Sequence, residues 1–273
     1  MTGPDVSDWQ AFLQRRRLLP SNPDGAFGPH TDTATRAYQS QKGLAADGVV
    51  VQGLLDKAVP DGYTSSTGAT IWDMDSDANC LALANGLSSA GIRFAARYYS
   101  VEPSKNLTPA EAQALSAAGI QIVAVFEDSD DPAAISAAAG TAHAAKALEL
   151  AQAIRQPGGS AIYFAVDFDV ESSSVLNGSI LPYFRAVKDR LSAAPAQYAI
   201  GVYGSGLTCR AVRDAGLAQF AWLAQSTGYG GFRQLLTEAD IVQVAPERKI
   251  LGGQLEIDDD IAQKSGFGAF TLT

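Results

Sequence analysis

Ala161-Ile162-Tyr163-Phe164-Ala165-Val166-Asp167-Phe168-Asp169 decides how the larger part of this chain folds. The unbroken apolar run reads as a strand covered on both faces, as strands of a parallel sheet are. It stops at two acids. Similar runs recur on either side, at Thr70–Asp73, Arg93–Tyr99, Gln121–Glu127 and Ala199–Tyr203, then at Phe220–Leu223, Ile241–Val244 and Gln254–Ile257. Ala-rich helical stretches lie between the early ones, at Asn79–Ala90, Pro109–Ala118, Ala133–Ile154 and Ile180–Ala193, the second opened by Thr108-Pro109-x-Glu111, a cap with proline at the first helical position. Strand and helix in alternation over about 200 residues predict a parallel α/β barrel. The last three strands have connections too short or irregular for full helices, so the barrel is expected to be an incomplete (β/α) TIM-like one, with five β/α units followed by three strands with little helix.

Upstream, Pro60-Asp61-Gly62-Tyr63-Thr64-Ser65-Ser66-Thr67-Gly68 has turn residues and no periodicity. It reads as a linker over 60–69 between a small domain, 1–59, and the barrel, 70–273. In the small domain Val6, Trp9, Phe12 and Leu13 recur at helical spacing, Thr31 to Gln41 gives a second helix, and Gln52 to Ala58 a short third. Asp24-Gly25-Ala26-Phe27-Gly28 is echoed by Asp47-Gly48-Val49-Val50, a weak internal repeat of turns in which glycine is comfortable at positive φ.

Composition narrows the function. With 47% hydrophobic and 18% charged residues the chain can bury a sizeable core. A net charge of -9, with no basic run longer than Arg15-Arg16-Arg17, argues against nucleic acid or an anionic membrane as partner, and no apolar stretch is long enough to span a bilayer. Cys80 and Cys209 are too few for a disulfide framework and read as buried small residues; His30 and His143 are too few for a zinc amidase. A hydrolase with this composition must work through carboxylates. No cofactor is called for, and a monomer is expected. Met1-Thr2-Gly3-Pro4-Asp5 has neither the basic nor the apolar region of a Sec signal, so the expectation is synthesis in the cytoplasm and delivery by another route.

Acids end the strands where a β/α barrel has its active site, at the C-terminal mouth. Asp73 and Asp75 follow the first, Glu127 and Asp128 the third, Asp167 and Asp169 the fourth, and Leu255-Glu256-Ile257 leads into Asp258-Asp259-Asp260. Residues two apart on a strand share a face, so Asp167 and Asp169 can both look into the mouth, where crowding raises the pKa of one while the other stays ionised. That division suits glycoside hydrolysis. A Mg²⁺ or Ca²⁺ site is the chemical rival for paired aspartates, and the weight falls on glycosidase with no metal.

Two resemblances refine this. Trp9-Gln10-x-Phe12-Leu13, Asp24-Gly25-x-Phe27-Gly28-Pro29-x-Thr31-x-x-Ala34 and Tyr38-Gln39-x-x-x-Gly43-Leu44-x-x-Asp47-Gly48 resemble the three-helix peptidoglycan-binding domain found on many cell-wall hydrolases, with Val51 and Leu54 where that family usually has Gly and Thr. Trp72-Asp73, Arg97-Tyr98-Tyr99, Lys105-Asn106-Leu107-Thr108-x-x-Glu111, Ile162 to Asp169, Pro182-Tyr183-Phe184, Gly201-Val202-Tyr203-Gly204-Ser205 and Ala221-Trp222-Leu223-Ala224 resemble a bacterial family of glycoside-hydrolase-like domains related to the family-25 lysozymes, which are N-acetylmuramidases. Those lysozymes carry Asp-x-Glu at the fourth strand, the Glu being the acid; this chain has Asp169 there. The resemblance implies Asp169 as proton donor, Asp73 and Asp167 as assisting carboxylates, and Asp258 or Glu256 as the terminal-strand acid, with Glu127 a second candidate donor. Tyr99, Tyr203 and Trp222 would stack on sugars, brace a carboxylate or simply pack the barrel, and Gln225 and Gln243 could hydrogen-bond substrate.

The function this implies is a peptidoglycan hydrolase of muramidase type, acting on wall glycan strands as an endolysin or a delivered antibacterial effector. The alternative is a glycan-binding protein with a degenerate glycosidase barrel.

Overall fold

The computed structural model describes residues 4–50, 52–58, 70–74, 80–89, 92–170, 172–224, 229–236, 238–251, 254–264 and 266–272. The chain divides into two compact units, Met1–Ala69 and Thr70–Thr273. The segment expected to be a linker lies outside the described residues.

The first unit has three helices, α1 (Pro4–Arg15), α2 (Pro29–Gln41) and α3 (Gln52–Ala58). Trp9 and Phe12 of α1 meet Tyr38 of α2 edge to face, at 5.8 and 5.0 Å between ring centroids, and all three are buried. The internal repeat takes physical form here. Gln10 donates to Asp24 Oδ1 at 2.7 Å and accepts from the Asp24 and Gly25 amides; Gln39 donates to Asp47 Oδ1 at 2.6 Å and accepts from the Gly48 amide. Each buried glutamine holds one Asp-Gly turn, and Gly25 and Gly48 sit at φ 72° and 73°, where a side chain would be strained.

The second unit is an eight-stranded barrel. Its strands are β1 (Thr70–Met74), β2 (Phe94–Tyr99), β3 (Gln121–Phe126), β4 (Ala161–Val166), β5 (Ala199–Gly204), β6 (Phe220–Leu223), β7 (Ile241–Ile250) and β8 (Leu255–Ala262). Neighbours pair in sequence order and β8 closes the ring on β1. From β1 to β7 the pairing is parallel, but β8 runs antiparallel to both its neighbours. The expectation of an all-parallel sheet fails at this strand for a simple reason: a parallel partner needs a crossover of a dozen residues, and only 251–254 separate β7 from β8.

The outer layer holds α4 (Ala84–Ser89), α5 (Pro109–Ala117), α6 (Ala137–Ile154), α7 (Ser173–Val175), α8 (Leu181–Ser192), α9 (Gly206–Asp214) and α10 (Phe232–Leu235). The hydrogen-bonded ring is complete while the helical layer thins out after α9, so the barrel is incomplete in its helices. At α5 the Thr108 hydroxyl accepts from the Glu111 amide, as the capping motif predicts. The helix expected from Ala133 begins later, because Pro132–Ala134 form a separate 3-10 turn and Ser136 caps α6. Among the described residues no helix is long and apolar enough to cross a membrane.

Alternation along the strands sorts the side chains. Ala96, Val123, Val125, Ala161, Tyr163, Ala165, Tyr203, Trp222, Ala224, Ile241 and Ala262 fill the barrel interior together with Phe267. Phe267 plugs the end at which the parallel strands begin: its carbonyl accepts from the Tyr163 hydroxyl at 2.8 Å, its ring meets Phe94 at 5.0 Å, and Gly268 O accepts from the Ala161 amide. The opposite end, where the parallel strands finish and β8 starts, is the mouth.

Candidate functional site

Asp167 follows β4 in the inward register of Ala161, Tyr163 and Ala165, which brings it to the mouth. Burial pushes its carboxyl above the usual carboxylate range, and the negative charge of Asp130 in the loop after β3 adds to this; a hydrogen bond with Tyr203 opposes them.

Tyr203, inward on β5, links that carboxyl to the far wall. Its hydroxyl donates to Gln243 Oε1 on β7 at 3.0 Å, and Gln243 Nε2 donates to Asp258 Oδ2 on β8 at 2.9 Å. Asp73 stands directly opposite Asp258 in the β1–β8 register. One level deeper, Trp222 donates its indole N–H to Asp260 Oδ1 at 2.6 Å, and both residues are fully buried. Three strands and the closing strand therefore converge on one polar line through the mouth. The antiparallel course of β8 makes this possible, since its first residues, not its last, lie level with the mouth.

Other candidates from the sequence are placed differently. Asp169 is half-buried beyond β4, and its Oδ1 accepts from the Gly230 amide at 3.0 Å, tying the loop after β4 to the loop after β6. Glu127 is half-buried at the end of β3, in register with Val123 and Val125. Glu256 is exposed, beyond the rim on the β7–β8 hairpin, where its Cα pairs with Lys249. Tyr99 does not reach the mouth: it faces outward from β2, is fully buried, and donates its hydroxyl to Gln156 at 2.7 Å. Trp222 is sealed in the interior, so it braces a carboxylate and cannot stack on a sugar. Tyr203, only 8% exposed, acts as a link and not a platform. Asp75 and Gln225 lie outside the described residues.

Two mouth residues escape a reading of the sequence. Tyr98, not Tyr99, is the inward aromatic of β2, with Lys105 Nζ 5.8 Å from its ring centre. Asp130 sits in the acidic loop Glu127-Asp128-Ser129-Asp130-Asp131, where charge reads as mere solvation. Its neighbour Asp128 is a brace, accepting from the Ser100 hydroxyl at 2.6 Å and the Val101 amide at 2.7 Å and so joining the loops after β2 and β3. Cys80 and Cys209 are buried, and burial pushes the Cys80 thiol up to about 12, so it is inert. Among the described residues no three His, Cys, Asp or Glu side chains gather as a metal site.

Comparison with known proteins gives matches to two family models. Residues 85–262 match the Rv2525c-like, glycoside hydrolase-like domain, and residues 2–56 match a peptidoglycan binding domain. YbfG of Bacillus subtilis (strain 168) is 30% identical over 246 residues, which are 83% of this chain and 32% of that protein. FadG of the same organism is 24% identical over 267 residues, 91% of this chain and 45% of its own length. This chain thus spans less than half of either relative. Among solved structures, the Tat-secreted protein Rv2525c of Mycobacterium tuberculosis, crystallised with L-tartrate, superposes with a TM-score of 0.62 at 25% identity, covering 75% of this chain and 99% of that one. A Bacillus stearothermophilus protein shares the fold with a TM-score of 0.51 at 17% identity, covering 71% of this chain and 96% of the other.

Proposed function

The chain belongs to the Rv2525c-like, glycoside hydrolase-like family, and from that premise we propose that it is a peptidoglycan hydrolase of muramidase type. The observation that carries this reading is Asp167, a carboxyl held above its usual range at the mouth and linked through Tyr203 and Gln243 to a second carboxyl, Asp258. A proton held on Asp167 passes to the glycosidic oxygen as the C–O bond breaks. Asp258, with Asp73 across the β1–β8 pair, is the second carboxylate, which stabilises the oxocarbenium-like transition state while water delivers hydroxyl to the anomeric carbon and gives up a proton to the site. The match of residues 2–56 to a peptidoglycan binding domain supports wall glycan as the substrate and the cell wall as the place of action. Release as an endolysin or delivery as an antibacterial effector belongs to this reading; the similar protein Rv2525c is Tat-secreted.

A second reading, a glycan-binding barrel without turnover, is favoured by the Asp169 carboxylate already engaged with Gly230 and by the sealing of Trp222. Incubating the whole chain with purified peptidoglycan and analysing soluble products by mass spectrometry separates the two. The hydrolase reading expects new reducing ends, with Asp167→Asn lowering their rate by about 10²- to 10⁴-fold, the usual contribution of a general acid. Intact binding without products establishes the second reading instead.

A further inference from the structure

Within Lys105-Asn106-Leu107-Thr108-x-x-Glu111, every named residue after the first anchors the segment that follows β2. Asn106 Oδ1 accepts from the Ser100 amide at 2.7 Å, and the Leu107 amide donates to Tyr98 O at 2.9 Å while its side chain is buried. Thr108 caps α5, and Glu111 accepts from the Arg97 guanidinium at 2.7 Å, both of that pair being buried. On the other side the Glu102 carboxylate accepts from the Ser104 amide and caps the 3-10 turn Pro103–Lys105. Lys105 is thus set in place by the chain on both sides of it.

Its side chain makes a different kind of contact. The ammonium stands 5.8 Å from the centre of the Tyr98 ring, and Tyr98 is the last inward residue of β2. Among the described residues no carboxylate pairs with this ammonium, although Asp130, Asp167 and Asp258 gather at the same mouth. An aromatic face attracts an ammonium without accepting its N–H groups as an oxygen does, so the three donors of Lys105 are left to water or to a ligand. The mouth itself has the opposite charge. A neutral sugar needs no cation there, whereas a substituent bearing a carboxylate is repelled unless a cation meets it. A half-buried ammonium on a fixed loop meets that need.

We propose that Lys105, set by the loop after β2 and steadied by Tyr98, determines specificity by pairing with a carboxylate carried on a substituent of the wall glycan. The inference rests on the mouth receiving wall glycan, as in the hydrolase reading, and names the substrate chemistry selected there. Two parts of peptidoglycan supply that chemistry: the lactyl carboxylate of a muramic residue without its stem peptide, and the free carboxylates of the stem peptide.

The test is calorimetric binding of three soluble probes to the full chain: a neutral N-acetylglucosamine oligomer, a peptide-free oligomer of alternating N-acetylglucosamine and N-acetylmuramic acid, and the same oligomer with its stem peptides. Every protein carries Asp167→Asn, so that the probes survive, and the chain with that change alone is the reference. Lys105→Met keeps an aliphatic stem and removes the charge, whereas Lys105→Arg keeps a charge that pairs with carboxylates. Lys105→Met is expected to weaken carboxylate-bearing probes by about tenfold, as loss of a hydrogen bond to a charged group does, with the neutral oligomer unchanged and Lys105→Arg close to the reference. Weakening confined to the peptide-free probe assigns the lactyl carboxylate, weakening confined to the peptide-bearing probe assigns the stem peptide, and weakening of both means that either carboxylate serves. The small domain is the same in every protein compared, so a difference between them belongs to the barrel. Equal weakening of all three probes means that Lys105 merely supports Tyr98 and its loop, and the proposal falls. Unchanged binding of both carboxylate-bearing probes in Lys105→Met also overturns it, as does a reference chain that binds none of the three. Because binding needs no turnover, a protein that discriminates in this way but, with Asp167 intact, yields no new reducing ends keeps Lys105 in this role and loses the hydrolase reading. New reducing ends without the discrimination keep the hydrolase and lose the role of Lys105.

Discussion

Replacing Asp169 by alanine and by asparagine distinguishes a structural latch from a proton donor. Its Oδ1 accepts from the Gly230 amide at 3.0 Å, and Gly230 O in turn accepts from the Leu207 amide at 2.8 Å at the start of α9. The loop after β6 is thus tethered twice, and alanine removes one tether. A hydrogen bond to a charged group contributes about 1.5–3 kcal/mol, which is roughly a ten- to hundred-fold change in the fraction of time the loop is undocked. Asparagine keeps an acceptor oxygen without the charge and restores about 0.5–1.5 kcal/mol of it. Native-state hydrogen exchange reads this directly. The Gly230 amide should exchange about ten- to hundred-fold faster in Asp169→Ala and at an intermediate rate in Asp169→Asn, with β5 unaffected. In turnover, the latch predicts that Asp169→Ala raises KM more than it lowers kcat, that Asp169→Asn recovers part of the loss, and that the pH profile keeps its shape. If instead Asp169→Asn is as inactive as Asp167→Asn, loses the basic limb of the profile and still protects Gly230, then Asp169 is the donor that the family-25 resemblance implies and the latch is refuted.

Asp167→Asn should also stabilise the fold at neutral pH while it removes turnover. The folded-state pKa of Asp167 is raised, so the native state pays for ionising it, and stability is lost as pH climbs from the unfolded value through the folded one. Urea denaturation at pH 7 and at pH 3 checks this, since the variant's advantage must vanish at the lower pH; an advantage of equal size at both would show that the gain is not linked to the proton. Gly201→Ala should cost about 1–3 kcal/mol of barrel stability, because a Cβ there falls 2.2–2.5 Å from the Tyr163 ring, which is pinned by Phe220, Trp222 and the Phe267 carbonyl. An unchanged unfolding midpoint would mean that the ring moves aside freely.

The strands were legible because each is a short apolar run bounded by polar turns, and Phe220–Leu223 matches the predicted strand residue for residue. Their facing was not legible. β2 is buried on both sides, so Arg97-Tyr98-Tyr99 carries no polar alternation to mark the inward residue, and a one-residue difference in register separates an aromatic in the mouth from one bonded to Gln156. The acids showed themselves as strand ends, but their division of labour depends on what each carboxylate meets across the barrel. Asp169 meets a backbone amide and Asp167 meets a phenol. The contacts from Asp167 through Tyr203 and Gln243 to Asp258 join β4, β5, β7 and β8, whose order around the ring a strand pattern suggests but whose side-chain depths it does not.

The direction of β8 shows why strand-end acids are an incomplete guide. Along a parallel barrel strand the mouth comes last, so an acid after the apolar run sits at the mouth. Along a strand that closes the ring antiparallel it comes first, and the acids enter before the apolar residues. Alternate residues Glu256, Asp258, Asp260 and Ala262 then descend in one row from rim to core: Glu256 is exposed, Asp258 is half-buried against the Gln243 amide, and Asp260 is fully buried under the Trp222 indole. The two deeper carboxyls each accept from a neutral N–H donor, Asp258 from the Gln243 amide and Asp260 from the Trp222 indole. At the top of the row the acid stands in open solvent, and at the bottom no substrate enters. Only the middle position combines access with low polarity, and it is there that Asp258 is coupled to Asp167.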